Sequence, residues 1–167
     1  PELIVLTLLA ALTRFWGLWQ PNAVVFDEVY FKEFAGHYLS GTYYFDVHPP
    51  LGKLLLAAWG WIAQVPAQTM LGTDPATVLR VLPALAGTCI IPVFYLLLRQ
   101  LKASRKVATL GAALLLLDNA LLVESRFILM DSMLVLFVLG TVVAYLAARK
   151  HTGPSRYWLL GLTGLPG

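Results

Sequence analysis

The sequence predicts an all-α integral membrane protein, a bundle of several membrane-spanning helices. Of its 167 residues, 59% are hydrophobic and only 13% are charged, whereas soluble domains are about 45–50% apolar and about 25% charged. Long apolar runs make up most of the chain, and one polar segment, residues 26–53, interrupts them. The apolar content excludes a disordered chain, and the net charge of +3 is too small to indicate nucleic-acid binding.

Four apolar segments are candidate membrane spans, because a helix needs about 20 apolar residues to cross the hydrocarbon core. They are residues 3–19, 78–98, 107–122 and 127–148, and a further span is expected to begin near residue 157. The first and third candidates are short. Since the chain starts at Pro1 and ends in an apolar stretch, residues 1–167 are interpreted as the N-terminal part of one transmembrane domain.

Residues 54–65 decide the predicted topology. This apolar segment has twelve residues before Pro66, which is typical of an interfacial or re-entrant helix of about 10–14 residues. Its two tryptophans, Trp59 and Trp61, also favour the interface. If the segment does not cross, residues 20–77 form one long external loop.

Basic residues support the same orientation. The loops 99–106 and 149–156 hold seven of the twelve Lys and Arg residues and no acid, and positively charged loops stay in the cytoplasm. If residues 54–65 did cross, residues 20–50 would have to share the cytoplasm with loop 99–106. We therefore expect residues 20–77 to lie on the extracytoplasmic side.

The external loop is expected to contain two amphipathic helices that lie parallel to the membrane surface. One face of the first helix carries Asp27, Phe31, Phe34 and Tyr38. Glu28 lies about 100° around the helix axis from Asp27, so the two acids point in different directions. Ser40 and Gly41 are expected to end this helix, and Pro50 suits the first turn of the next one.

Asp27 and Glu28 are the candidate catalytic residues. Adjacent acids at a helix start also have a structural explanation, because they can cap free N–H groups and favour the helix dipole, each by about 0.3–2 kcal/mol. Asp27, however, falls on the aromatic face of the helix, where a carboxylate is suited to act as a general base. The two roles are compatible, and both interpretations stay open.

Four more residues are candidate substrate-binding groups: Arg14, His48, Arg80 and Arg126. The arginines fall near the predicted outer ends of their spans, and guanidinium groups match phosphate geometry, so a phosphate-bearing lipid is an expected ligand. Each could instead anchor its helix at the interface, and Arg14 could snorkel there. His48 begins a His-Pro-Pro turn that also has a purely structural explanation.

Two acids lie within apolar sequence. An Asp at the bilayer centre costs about 2.5–3.5 kcal/mol, so such residues usually face a cavity or a partner. Asp131 is expected to be shallow and hydrated, and Asp118 to pair with Arg126 or Arg14. Three histidines without regular spacing and a single cysteine give no case for a metal site, and no cofactor motif is found.

Two blocks, RFWGLWQPNAVVFDEVYFKEFAGHYL and YYFDVHPPLGKLL, closely resemble the protein O-mannosyltransferase family, also called dolichyl-phosphate-mannose–protein mannosyltransferases. LDNALLVESRFILMDSML resembles the family's third and fourth spans, so the resemblance runs from about residue 13 to 138. It implies a GT-C fold whose first external loop carries membrane-parallel helices and the catalytic acids. It also implies inverting transfer of mannose from a polyprenyl- or dolichyl-phosphate mannose donor to Ser or Thr hydroxyls of an acceptor protein.

The resemblance also implies roles for individual residues. Asp27 would be the base that deprotonates the acceptor hydroxyl, and Glu28 would place or polarise the acceptor. Arg14 and Arg80 match two family arginines. Tyr30 stands where eukaryotic members usually have His, which favours a prokaryotic enzyme in the plasma membrane over one in the endoplasmic reticulum. A dimer with a related subunit is expected, and the fragment alone is expected to be inactive.

Three other functions stay open on the residues alone. A related GT-C enzyme could move a different sugar from a polyprenyl phosphate to a lipid or glycan. A transporter could use Asp118 and Asp131 to line its pathway, although no internal symmetry is visible. A non-catalytic membrane scaffold could keep the fold, and its Asp27 would then act only as a helix cap.

Overall fold

A computed structural model describes residues 1–47, 49–72, 77–150, 157–158 and 160–161. Every element longer than a turn in these residues is helical, and they contain no strand. The α-helices are α1 (Glu2–Phe15), α2 (Glu28–Ser40), α3 (Leu51–Ile62), α4 (Ala67–Leu71), α5 (Val81–Gln100), α6 (Arg105–Leu116), α7 (Asn119–Glu124) and α8 (Asp131–Ala148), and a 3₁₀ helix (Thr77–Arg80) leads into α5. The predicted all-α class is confirmed.

Two of the four predicted spans are helices long and apolar enough to cross a membrane. The 3₁₀ helix and α5 together cover the 24 residues Thr77–Gln100, within which an 18-residue window has a mean hydropathy of 2.2, and the 18 residues of α8 have a mean hydropathy of 2.0. In contrast, α1 has 14 residues and α6 has 12. At about 1.5 Å per residue these two helices fall short of a core about 30 Å thick. The further span expected from residue 157 lies mostly outside the described residues.

The third predicted span, residues 107–122, is not one helix. α6 ends at Leu116, and α7 begins at Asn119. Between them the Asp118 carboxylate accepts a hydrogen bond from the Leu121 backbone N–H at 2.8 Å and so caps α7. The expected pairing of Asp118 with Arg126 or Arg14 was wrong, because the side chain is exposed and satisfies a helix end.

Both helices predicted for the polar segment are present. α2 ends at Ser40, and Gly41 follows in the left-handed region with φ 67°, a conformation that glycine adopts without a steric penalty. α3 begins at Leu51, directly after Pro50. The predicted start and stop signals of these helices are confirmed.

Two hydrophobic clusters organise the packing around α5. One joins α5 to α1 and α6 through Leu6, Ala10, Ile91, Tyr95, Ala108, Ala112 and Leu116. The other joins the α2–α4 region to α5 and α8 through Ala35, Leu56, Ala57, Met70, Leu79, Ala86, Ile128 and Met133. Because α2 and α3 pack into the second cluster, their positions relative to α8 are determined by apolar burial.

Gly87 of α5 lies where Ser125 and Arg14 approach this helix closely. A Cβ atom built at this position would overlap Ser125 Cβ and lie 3.1 Å from Arg14 Nε. Gly140 of α8, in contrast, has no atom of the described chain within 4 Å of a built Cβ. The two glycines therefore form a matched pair for testing the packing.

We expect Gly87→Ala to lower the free energy of unfolding by about 1–3 kcal/mol, because overpacking outweighs the better helix propensity of alanine. Gly140→Ala should be neutral or stabilising by up to about 1 kcal/mol. Denaturant unfolding of the full-length protein in detergent measures both. Equal effects of the two substitutions would contradict the close contact at Gly87.

Candidate active site

A cavity of about 710 Å³ lies between the start of α2, the start of α3 and the chain from α7 into α8. Its described lining residues are Phe26, Asp27, Phe31, Pro49, Leu51, Gly52, Val123, Glu124, Phe127, Leu129, Met130, Asp131, Met133, Leu134, Phe137 and Val138. Three of them carry carboxylates, and none of them carries a positive charge. We call this space the Asp27 cavity.

Asp27 occupies the N-cap position of α2, but its carboxylate does not cap the helix. Its backbone oxygen accepts hydrogen bonds from the N–H groups of Tyr30 (3.0 Å) and Phe31 (3.2 Å), whereas its side chain makes no capping hydrogen bond. The side chain is exposed and lines the cavity. Side-chain capping, the structural explanation for this residue, is therefore absent here, and the carboxylate is accessible from the cavity.

The backbone before Asp27 helps to direct this side chain. Phe26 adopts φ 51°, which is uncommon for a residue other than glycine and costs on the order of 1 kcal/mol or more. Its ring packs edge-on against Phe127, with 5.6 Å between the ring centroids. This aromatic contact holds the turn that places Phe26 and Asp27 together on the cavity wall.

Glu28 points away from the cavity and pairs with Arg80 in the protein interior. Arg80 donates from Nε to Glu28 Oε1 at 2.7 Å and from Nη2 to Oε2 at 2.8 Å, and both side chains are 1% exposed. The prediction that Asp27 and Glu28 point in different directions is confirmed. Such a bidentate, charge-assisted pair is the geometry that makes a buried ion pair favourable.

The remaining hydrogen bonds of this ion pair join two further parts of the chain, the loop after α1 and the segment between α7 and α8. The Glu28 carboxylate also accepts from the N–H groups of Ile128 (2.9 Å) and Val25 (3.1 Å). Arg80 also donates to the backbone oxygens of Leu18, Pro21 and Ala23 at 2.9–3.3 Å. Each carboxylate oxygen thus has two donors, and the Arg80 guanidinium donates to Glu28 and to three backbone oxygens. The predicted catalytic role of Glu28 and the predicted substrate contact of Arg80 stay predictions.

Arg14 and Arg126 lie outside the Asp27 cavity. Arg14 is 0% exposed, which does not support the alternative that it snorkels to the interface, and its Nε and Nη2 atoms are buried without a hydrogen-bond partner in the described structure. Arg126 donates to the backbone oxygens of Thr13 (2.8 Å) and Gly17 (3.2 Å) at the end of α1. The predicted binding of phosphate by these two arginines stays a prediction.

Arg126 instead lines a second groove of about 670 Å³, with Leu12, Phe15, Trp16, Gly17, Trp19 and Gln20. Helix C-termini leave backbone carbonyl groups unpaired, and cations are favourable near them. Arg126 and Arg80 together supply donors to the chain that leaves α1. Their shared effect is to hold residues 13–23 against the rest of the site.

His48 lies outside the described residues, and its predicted role in substrate binding is untested. The segment beside it is held by a buried ion pair between Lys53 and Asp46, whose side chains are 3% and 7% exposed. The Lys53 ammonium lies 5.2 Å from the centre of the Phe34 ring, which stacks on Tyr44. Burial raises the pKa of the Tyr44 hydroxyl, and interactions with Tyr38 and Asp46 raise it further, so this group stays neutral.

The structure brings Asp131 to the Asp27 cavity, which the sequence analysis missed by treating it as a hydrated residue near a span end. The position of Asp131 near the predicted outer end of the span 127–148, on the same side of the membrane as Asp27, could have indicated this placement. In the described residues, no group of three His, Cys, Asp or Glu side chains is arranged to hold a metal ion. The chemistry visible at this site is therefore that of carboxylates on an apolar, aromatic wall.

Comparison with known proteins shows which family this chain resembles. The family model described as dolichyl-phosphate-mannose-protein mannosyltransferase matches residues 4–165. Dolichyl-phosphate-mannose–protein mannosyltransferase 4 of Candida albicans is 38% identical over 93% of this chain, and protein O-mannosyl-transferase 1 of Homo sapiens is 35% identical over 97%. The chain spans only 22% and 23%, respectively, of the length of these two relatives.

A solved structure has the same fold. It is the S. cerevisiae protein O-mannosyltransferase Pmt1-Pmt2 complex bound to the sugar donor, and it matches 99% of this chain with a TM-score of 0.91 and 30% sequence identity. This chain covers 24% of the matched chain. The likeness extends through the helices that build the Asp27 cavity and the Glu28–Arg80 pair.

We expect Glu28→Gln to lower the free energy of unfolding by about 3–5 kcal/mol, because the substitution leaves the Arg80 charge buried without a counter-ion. Denaturant unfolding of the full-length protein in detergent measures the change. Glu33→Gln is the matched control, since Glu33 is 47% exposed and lies 3.6 Å from His37 at the surface. This control should cost no more than about 1 kcal/mol.

A double substitution tests whether the two residues act as a unit. Glu28→Gln combined with Arg80→Gln should cost clearly less than the sum of the single changes, because residues within one ion-pair network are not additive. Additive costs would show that the pair is not coupled in the folded protein.

Proposed function

Because the chain belongs to the dolichyl-phosphate-mannose-protein mannosyltransferase family, we propose that the whole protein is an inverting GT-C glycosyltransferase. It moves mannose from a polyprenyl- or dolichyl-phosphate carrier to Ser or Thr hydroxyls of proteins at the extracytoplasmic membrane face. The observation that supports this proposal best is the accessible Asp27 carboxylate at the edge of an aromatic cavity. This fragment supplies the acid-bearing part of the site.

Asp27 acts as the general base in a single displacement. Its carboxylate takes the proton of the acceptor hydroxyl while the hydroxyl oxygen bonds to C1 of mannose. The C1–O bond to the carrier phosphate breaks, and its electron pair leaves with the phosphate, so the configuration at C1 inverts. A positioned base contributes about 10²–10⁴-fold to such a step.

Glu28 and Arg80 position this base without contacting the reacting atoms. Glu28 follows Asp27 at the start of α2 and is held by two hydrogen bonds to Arg80, at 2.7 and 2.8 Å. Ile128, which also donates to Glu28, lies within the segment that forms the opposite cavity wall. The ion pair thus determines the distance between the base and that wall, and small errors in such distances are costly for catalysis.

The carrier phosphate binds outside the part of the cavity lined by carboxylates. Two phosphodiester oxygens share a negative charge, and like charges brought together in a poorly hydrated site repel each other. Arg14, Arg126 and His48 remain the candidate groups for the phosphate within this fragment. The parts of the protein beyond this chain complete the donor site.

The whole protein is proposed to be a multi-pass membrane enzyme that pairs with a related subunit. The fragment already contains two helices long enough to span a membrane, and the matched S. cerevisiae structure is a Pmt1-Pmt2 complex. Residence in the plasma membrane of a prokaryote or in the endoplasmic reticulum of a eukaryote stays a prediction. The same holds for the membrane-parallel arrangement of α2 and α3.

We expect Asp27→Asn to lower kcat by about 100-fold or more, because the amide cannot take the acceptor proton. The assay uses the full-length protein in membranes with polyprenyl-phosphate mannose and a Ser/Thr-rich acceptor peptide. The free energy of unfolding should change by no more than about 0.5 kcal/mol, since the carboxylate makes no capping hydrogen bond.

Glu33→Gln is the control, because it also replaces a carboxylate of α2 by an amide but at a residue that does not line the cavity. This variant should keep wild-type activity. Unchanged transfer by Asp27→Asn would exclude Asp27 as the base. No transfer by the wild-type protein with intact donor would point to another sugar or another acceptor.

A further inference from the structure

Asp131 is the second acid that faces the Asp27 cavity from a fixed position. It is the first residue of α8, its side chain is exposed, and it lines the cavity together with Asp27. No hydrogen bond or ion pair within the described residues engages its carboxylate. A carboxylate in the first turn of a helix is favoured by the helix dipole, so the fold stabilises a negative charge here.

The residues on both sides of Asp131 hold its backbone in place. Met130 packs against Gly52 at the start of α3, where a built Cβ would lie 2.6 Å from Met130 Sδ. On the other side the Ser132 hydroxyl donates to the Pro83 oxygen at 3.2 Å, and Met133 is 3% exposed in the apolar core. Asp131 is therefore a preorganised group rather than a mobile surface acid.

The rest of the cavity indicates which ligand this carboxylate meets. Four phenylalanines line the space: Phe26, Phe31, Phe127 and Phe137. No Lys, Arg or His occurs among the described lining residues, so the cavity does not match an anion. It matches a neutral polyol, whose C–H faces pack on aromatic rings and whose hydroxyl groups donate charge-assisted hydrogen bonds to carboxylates.

We propose that Asp131 binds hydroxyl groups of the mannosyl unit of the donor and orients its ring towards Asp27. This inference rests on the proposed mannosyl transfer and adds a sugar-recognition residue to it. Asp27 receives the acceptor proton at one side of the sugar, and Asp131 accepts hydrogen bonds from hydroxyl groups of its ring. A site built to hydrogen-bond a substrate hydroxyl strongly rejects an analogue that lacks it.

The test combines protein variants with donor analogues. The full-length protein in membranes is given polyprenyl-phosphate mannose or its 2-, 3-, 4- and 6-deoxymannose analogues, and kcat/KM for each donor is measured at saturating acceptor peptide. For the wild type, at least one deoxy donor should lose about 10- to 100-fold, as expected for one hydrogen bond to a charged group. For Asp131→Asn, kcat/KM with the mannose donor should fall by a similar factor. In this variant, replacing the mannose donor by the same deoxy donor should lower kcat/KM only slightly further.

Three comparison variants sharpen the assignment. Asp131→Glu keeps the carboxylate, so its activity with the mannose donor should be higher than that of Asp131→Asn. Its kcat/KM should also fall more than that of Asp131→Asn when the deoxy donor replaces mannose. Glu33→Gln should show the wild-type penalties for every donor. Glu124→Gln removes the third cavity carboxylate and should leave the penalty of the affected deoxy donor in place.

Several results would overturn the proposal. Deoxy penalties that are equal in Asp131→Asn and the wild type would show that Asp131 contacts no sugar hydroxyl. With the acceptor peptide varied at saturating mannose donor, a defect of Asp131→Asn confined to the KM of the peptide would assign Asp131 to the acceptor. Loss of the deoxy penalty in Glu124→Gln would assign the contact to Glu124. If the wild type fails to transfer mannose at all, the proposed function falls and this inference with it.

Discussion

The buried ion pair between Glu28 and Arg80 is the interaction on which the rest of the site depends. Charges removed from water are stable only when a partner and further hydrogen bonds replace the lost hydration, and here every oxygen of the carboxylate has two donors. The donors come from three separate parts of the chain: the loop after α1, the turn before α5 and the segment between α7 and α8. The hydrogen bonds to the Glu28 carboxylate therefore hold these three parts of the chain together at the start of α2.

The geometry of the helix then places two adjacent acids in different environments. Successive residues of an α-helix are rotated by about 100°, so the burial of Glu28 directs Asp27 towards the cavity. A base must be accessible to the acceptor, whereas an anchoring carboxylate must be shielded from water, and one residue cannot meet both requirements. In the proposed mechanism the Asp-Glu pair at the start of α2 meets both requirements, because Glu28 holds the position of Asp27.

Local signals predicted the local structure well, and the errors arose where contacts between distant residues decide the outcome. Gly41 and Pro50 mark the end of α2 and the start of α3 because they constrain their own backbones. The pairing of Arg80 with Glu28, in contrast, was missed because the two residues lie 52 positions apart in sequence. The break at Asp118 was missed because hydropathy reports burial in lipid and does not register a single capping hydrogen bond. The placement of Asp131 beside Asp27 likewise depends on the packing of α8 against α5.

The charge distribution of the cavity also bears on where the proposed reaction would place the carrier phosphate. In a single displacement the base-bound acceptor and the departing phosphate lie on opposite sides of C1. The described cavity wall carries carboxylates and no cation, which suits the acceptor side and the neutral sugar but opposes a dianionic phosphate leaving group. In the proposed reaction the phosphate would therefore leave on the side of C1 that faces away from Asp27. In the proposed displacement such a pocket would lower the barrier, because negative charge moves from the Asp27 carboxylate to the departing phosphate and so away from the other carboxylates.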